Sequence, residues 1–530
     1  MESLHQSRPR FVGPAQISAL HVTHNASIDG CTRNGGTMCS AARPDTQHYA
    51  AMRLGFDRLA HAPGIGVLRA PLGVLRAPLA ILVFAAGAVG GCGAVHPSPG
   101  AGHSSTTITE PAPLTHTANA ITQTTTTNVV PADPGPPPLG GADQLGIELR
   151  HELALAGPQS GAYVYDLTTG APVFSLRAGT KRPPASVEKL FTSIAALREL
   201  GPLARFHTAV LGRGWLGPRG LWHGNLYLRG GGDPTFGSSG FIDIYEHGFG
   251  PTVTQLVHQL QGHGIRRVTG HLIGDASLFD SKPGVPSSHF TPDLGDLGGE
   301  LAGLTYDHGL SGGLSPGAYA THALALALRA ANVWALAAPR VGVTPPGARV
   351  LAVVSSPPLS VILRLMNVPS DDFFAEMLAK QLGARFGGAG TTASGAQVIS
   401  NVLGTDYGLY PNVVDGSGLS RSDRASPLEV VTLLREVWHT SVGDVLWHSL
   451  PTVGVNGTVA TIATGTPAEG HCIAKTGTLN NVTNLAGYCR SAGNQLVAFA
   501  LFVDGPENWQ ALELEGKMVA YIARRNPASP

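Results

Sequence analysis

Ser186 and Lys189 stand one helical turn apart in the stretch Pro184-Ala185-Ser186-Val187-Glu188-Lys189-Leu190-Phe191-Thr192, so a hydroxyl and an amine share one face. A serine is a poor nucleophile until a neighbour takes its proton, and a lysine does this when burial or nearby charge keeps it neutral. The chemistry open to such a pair is acyl transfer through a covalent serine intermediate. A second lysine opens Lys475-Thr476-Gly477-Thr478, where a cation and a hydroxyl on neighbouring residues can grip an anionic group. Only six of the 35 basic residues are lysines, and that two of them fall in these two motifs argues against chance matches.

The elements that position these residues are legible on either side of them. Leu190, Ile194, Leu197 and Leu200 predict an amphipathic helix running from the serine to Gly201. A helix over 147–155, strands over 161–166 and 172–176 and a turn at 167–170 precede it. Beyond the second motif, strands over 471–479 and 482–490 are joined by Asn480-Asn481, a two-residue turn suited to positive φ. Counting outward from that turn sets Cys472 opposite Cys489, a pair that either forms a cross-strand disulfide or stays as two buried thiols. A strand over 497–503 and a helix over 509–524 close the chain.

Further stretches follow in a fixed order: Leu228-Arg229-Gly230-Gly231-Gly232-Asp233-Pro234-Thr235, Val268-Thr269-Gly270-His271-Leu272-Ile273-Gly274-Asp275, Asp415-Gly416-Ser417-Gly418-Leu419-Ser420-Arg421 and Asn484-Leu485-Ala486-Gly487-Tyr488. With the two lysine motifs, they make the region from about 145 to 525 resemble the D-alanyl-D-alanine carboxypeptidase/endopeptidase family, the class C low-molecular-mass penicillin-binding proteins. The resemblance implies an α/β (α+β) fold of the β-lactamase/transpeptidase type, with an antiparallel sheet flanked by helices, a helical subdomain and a smaller inserted domain. It implies a serine-type peptidase acting on peptidoglycan stem peptides through an acyl-enzyme, with β-lactam antibiotics as acylating inhibitors and neither metal nor cofactor. Ser186 would be the nucleophile, Lys189 its base and Ser370 a proton relay. Lys475 and Thr476 would hold the terminal carboxylate, Gly477 would let substrate lie close to the strand, and the N–H groups of Ser186 and Thr478 would form the oxyanion hole.

One position departs from the family. Its Ser-x-Asn motif is met by Ser370-Asp371-Asp372, with aspartate in place of the amide. An amide both donates and accepts, whereas an ionised carboxylate only accepts. A carboxylate beside Lys189 favours the ammonium, which cannot act as a base; a protonated Asp372 would instead mimic the amide. Beside the peptidase reading stand a weakly catalytic penicillin-recognising binding or scaffold protein, motivated by Asp372, and a β-lactamase or esterase on the same fold.

Composition bounds the remainder. With 43% hydrophobic and 13% charged residues the 530-residue chain has room for two or three domains, and its zero net charge gives no reason to expect nucleic acid. Residues 1–92 read as a leader: an apolar run over 79–91, shorter than the ~20 residues of a membrane span, ends in Val89-Gly90-Gly91-Cys92, which either resembles a lipobox acylated on Cys92 or is an ordinary cleaved signal peptide with an incidental cysteine. Residues 93–140 are a Ser/Thr/Pro-rich linker, 141–205 and 305–530 a split catalytic domain, and 206–304 the inserted domain, with a helix over 317–331 returning the chain to the catalytic part. The histidines of the insertion show no metal-ligand spacing. These features place the protein outside the cytoplasm, in the cell envelope, touching membrane only through its signal or lipid anchor. Mass spectrometry of the native protein is expected to find the chain beginning after this apolar run, and an intact N-terminus ahead of Leu79 would remove the export reading.

Overall fold

The structure is a computed structural model and describes residues 144–526; the leader, Cys92 and the linker lie outside the described residues. Its central feature is a five-stranded antiparallel sheet in the order Cys472–Leu479, Val482–Arg490, Leu496–Asp504, Gly161–Asp166, Ala171–Leu176. The strands Val482–Arg490 and Leu496–Asp504 are buried almost throughout, as strands covered on both faces must be. On one face pack the helices Gln144–Leu155 and Asn508–Arg524, through Leu149, Leu153, Met518 and Ile522. The other face meets the Lys189–Leu200 helix and the helical subdomain.

That subdomain comprises the helices Leu359–Asn367, Asp372–Phe386, Thr392–Tyr407, Pro427–Val437 and Ser441–Ser449. In Asp372–Phe386 the first twelve residues are all buried, the mark of a helix enclosed on every side. Pro183 and Pro184 precede the serine, and Ala185 adopts φ +48°. The expected single helix is therefore split: Ser186 sits in a 3-10 turn, Ala185–Glu188, and the α-helix begins only at Lys189.

A second, seven-stranded mixed sheet forms the inserted region. It starts with His207–Leu216 and ends with Arg349–Ser355, which pair with each other, so it extends beyond the expected boundary at 304. The Pro316–Ala330 helix likewise packs in the core of this sheet, with Leu324 and Leu328 against Leu256 and Leu260 of the Val253–Gly262 helix, rather than returning the chain to the catalytic part. Two-residue strands at Trp334–Ala335 and Arg340–Val341 carry too few residues for an alternating pattern to announce them. Phe279, Val285, Leu297 and Leu301, by contrast, leave the insertion and pack into the core of the helical subdomain.

In the Cys472–Arg490 hairpin Asn481 takes φ +59° and Cys472 is opposite Cys489, where the structure joins the two sulfurs. A cross-link closing a loop of this size stabilises by about 3 kcal/mol. Unfolded without reductant, the chain from residue 93 onward is expected to offer no reactive thiol and to melt at lower temperature once reduced; two reactive thiols before reduction would reject the bond.

Candidate active site

Two glycines bring the serine turn against its neighbours. A Cβ on Gly477 would lie 2.5 Å from the Pro184 carbonyl oxygen, and one on Gly418 would lie 1.9 Å from that of Ala185. Only bare backbone lets the Cys472–Leu479 strand and the 415–420 loop approach so closely. The side chain missing at Gly477 thus makes room for the serine turn, a different use from the substrate clearance expected of it. Asn484, on the adjoining strand, donates from Nδ2 to the carbonyls of Pro183 and Pro184 at 2.9 Å and holds the turn from below.

Lys189 Nζ has three oxygen acceptors: Ser186 Oγ at 2.9 Å, Asp372 Oδ1 at 2.5 Å and the Ser417 carbonyl at 2.9 Å. Lys189 is fully buried and Asp372 nearly so. An ammonium has three N–H bonds, so all its donors are used. Lys475, also fully buried, donates to Ser370 Oγ at 2.7 Å and to the Thr476 carbonyl at 2.9 Å. Ser370 sits at φ +65° in the turn between the Leu359–Asn367 and Asp372–Phe386 helices. Thr476 Oγ1 is 2.7 Å from Thr458 Oγ1, and Thr478 lies exposed towards the end of the strand. The residues named from sequence therefore gather as two lysine-centred groups, Ser186–Lys189–Asp372 and Ser370–Lys475–Thr476. The strand carrying Lys475 is at the edge of its sheet, which leaves its outer backbone to other partners; Pro451 and Val453 take Ala474 and Cys472.

A family model described as D-Ala-D-Ala carboxypeptidase 3 (S13) matches residues 145–296 and 314–525. The chain belongs to this family. A D-alanyl-D-alanine carboxypeptidase of Actinomadura sp. is 29% identical over 470 residues, covering 71% of this chain and 84% of the relative. Carboxypeptidase DacB of Mycolicibacterium smegmatis is 29% identical over 420 residues, covering 72% and 86%. The crystal structure of penicillin binding protein 4 (dacB) from Haemophilus influenzae superposes with a TM-score of 0.60 at 21% identity, over 70% of this chain and 98% of that one. At that identity the likeness speaks to the fold, and it agrees with the β-lactamase/transpeptidase type expected.

Several groups of this S13 site had no signal in the sequence. The Ser417 carbonyl is one, because a backbone oxygen belongs to no residue type. Its loop is ordered by carboxylates: Glu376 Oε1 accepts from the N–H groups of Gly416 and Ser417 at 2.8 Å, and Asp415 accepts from those of Gly418 and Ser420 at 2.7 and 2.8 Å. Glu188, Glu376, Asp415 and Asp423 are all buried here. Burial, reinforced by mutual repulsion, pushes Glu376 up to about 8, Asp423 up to about 9 and Glu188 well above the carboxylate range. Among the described residues no group of three or more His, Cys, Asp or Glu side chains is arranged to hold a metal ion. Asp233 accepts from the N–H and Oγ1 of Thr235 and so orders the turn that follows its glycines.

His308 is the other unforeseen member. It comes from the part of the inserted region between the Leu272–Asp275 strand and the Pro316–Ala330 helix, lies with its ring centroid 4.2 Å from that of Phe373 and places Nε2 2.9 Å from Asp371 Oδ2. Asp371 in turn accepts from the Phe374 N–H and caps the helix that begins at Asp372. Burial opposes the imidazolium, but the charge and hydrogen bond of Asp371, with Glu246 nearby, raise His308 to about 9. Burial likewise opposes the Asp371 carboxylate, and His308, the Phe374 N–H and Lys189 outweigh it and lower its pKa. A raised histidine stabilises fully below its ordinary value of 6.5 and loses that contribution as pH climbs through about 9. The lowered aspartate contributes above the ordinary carboxylate range and loses its share only in stronger acid. Between pH 7 and 10 the protein is expected to lose on the order of 3 kcal/mol from this pair. In His308→Gln that alkaline loss should be much smaller, and equal pH dependence of the melting temperature in both proteins would show that the pair does not titrate as described.

Proposed function

We propose that this S13 peptidase is an exported envelope enzyme that cleaves D-Ala-D-Ala bonds of peptidoglycan stem peptides through an acyl-enzyme on Ser186. The contact that carries the reading is Lys189 Nζ against Ser186 Oγ at 2.9 Å. Ser186 Oγ bonds to the carbonyl carbon of the penultimate D-Ala while its proton passes to a neutral Lys189. The charge that develops on the carbonyl oxygen is met by the N–H groups of Ser186 and Thr478. Ser370, whose hydroxyl is already bonded to Lys475, relays a proton to the departing D-Ala amine as the peptide bond breaks, giving up its own and regaining the one that Lys189 took from Ser186. Lys475 and Thr476 hold the terminal carboxylate, and water later releases the acyl group. A β-lactam presents an amide and a carboxylate in a similar relation and would acylate the same serine.

Asp372 sets the rate of this cycle. With all three donors of Lys189 satisfied, the amine must lose a proton before it can take one from Ser186, and the acceptor at hand is the Asp372 carboxylate at 2.5 Å. That transfer is an additional step which an amide would not impose. The same contact favours a second reading: a protein that acylates slowly and acts mainly by binding. D-Ala release from a pentapeptide supports the peptidase, stable acylation without release the binding protein, and rapid turnover of the drug a β-lactamase.

Ser186→Ala should abolish labelling by a fluorescent penicillin while leaving the melting temperature near that of the parent. Asp372→Asn should acylate about tenfold faster at neutral pH. If its rate matches the parent's at every pH, the carboxylate is not what restrains Lys189.

A further inference from the structure

The chain as a whole balances 35 basic against 35 acidic residues, yet residues 200–232, 247–274 and 308–370 contain no Asp or Glu at all. These stretches build most of the inserted sheet, and their cations are arginines. Arg213, Arg219, Arg266, Arg267, Arg329 and Arg349 are all exposed. Strand pairing gathers them at one end of the sheet: Arg349 is opposite Gly212, Leu221 pairs with Arg267, Arg267 pairs with Trp334, and the Arg329 guanidinium lies over the Trp334 ring at 5.6 Å. The hairpin carrying Arg219 joins the two central strands at that same end.

Large apolar side chains stand among these cations. Trp215 is 57% exposed, Leu216 44%, Trp334 46% and Leu336 63%. The chain enters and leaves the sheet at His207 and Ser355, at the opposite end. A ten-residue strand such as His207–Leu216 is about 30 Å long, so this tip stands a full strand length from the connections to the catalytic part.

We propose that this tip is a docking surface for an anionic phospholipid membrane. Guanidinium groups alone would serve any polyanion, but a phosphodiester polymer offers nothing to Leu216 and Leu336. A bilayer interface meets both needs. Its headgroup layer takes indole rings, its anionic lipids attract arginines, and its acyl boundary accepts aliphatic side chains. No described helix is long and apolar enough to cross a membrane, and the contact is superficial. It adds a second attachment to the signal or lipid anchor expected at Cys92, and a single acyl chain alone holds a protein only reversibly. The site and its substrate are not involved, so the docking stands or falls apart from the catalytic reading.

The test uses the chain from residue 93 onward, which keeps every described residue and removes any contribution from the leader. It is mixed with vesicles of phosphatidylcholine, alone or with phosphatidylglycerol, and binding is followed by co-sedimentation and tryptophan emission. Binding that requires phosphatidylglycerol, weakens with salt and shifts the emission to the blue is expected. The doubly substituted Arg213→Glu, Arg267→Glu protein should partition at least twentyfold more weakly, since each arginine contributes about fivefold near such a surface. Trp215→Ala with Trp334→Ala should weaken binding and remove the blue shift, with melting temperatures confirming that all variants are folded. Absence of binding at low salt overturns the proposal. So does binding to a soluble polyphosphate that matches binding to vesicles and ignores the tryptophan substitutions, which would assign the surface to an anionic polymer.

Discussion

Lys189 is a cation withdrawn from water, and the cleft is built around satisfying it. Its three acceptors come from three separate segments: the serine turn, the first residue of the Asp372–Phe386 helix and the 415–420 loop. Leaving such a charge unpaired costs several kcal/mol, so the sheet side and the helical side of the cleft are tied at this atom. The close approach it needs explains Gly418 and Gly477, whose bare backbones abut the Pro184–Ala185 carbonyls.

The same demand accounts for the acids behind the site. Glu376 and Asp415 aim the Ser417 carbonyl at Lys189 by holding the N–H groups around it. Were every buried carboxyl ionised, one lysine would face an excess of negative charge in a medium that screens it poorly. Burial resolves this by keeping Glu188, Glu376 and Asp423 protonated near neutrality. Asp371 is held by His308, and Asp415 by the N–H groups of its own loop. The carboxylate left to pair directly with the ammonium is Asp372.

Much of this was legible in the chain. Ser186 and Lys189 were recognisable because helical geometry puts such spacings on one face, and the Cys472–Arg490 hairpin because alternation and Asn480-Asn481 fix its register. The family stretches located Ser370, Asp372 and Lys475. What stayed hidden has physical reasons. The Ser417 carbonyl is backbone, Thr458 meets Thr476 through a turn that shows no periodicity, and the His308–Asp371 contact spans 63 residues and depends on how the insertion folds back. The end of the inserted sheet at Ser355 was missed because Arg349–Ser355 closes the sheet by pairing with its first strand, His207–Leu216, a contact between distant stretches that no local pattern announces.

The insertion and the unusual aspartate are connected through one helix end. His308 fixes Asp371, Asp371 caps the helix, and Asp372 is that helix's first residue. The unpaired N–H groups of a helix start favour negative charge, typically by about 0.3–1 kcal/mol. An ionised carboxylate at position 372 therefore has the helix end as well as Lys189 in its favour, whereas an asparagine there would gain little from either charge. By ordering this helix end, the long insertion between the serine helix and Ser370 helps to fix where Asp372 stands against Lys189. Under the proposed mechanism, freeing Lys189 to serve Ser186 thus requires relaxing an arrangement that the helix start and the arm closing on it both favour.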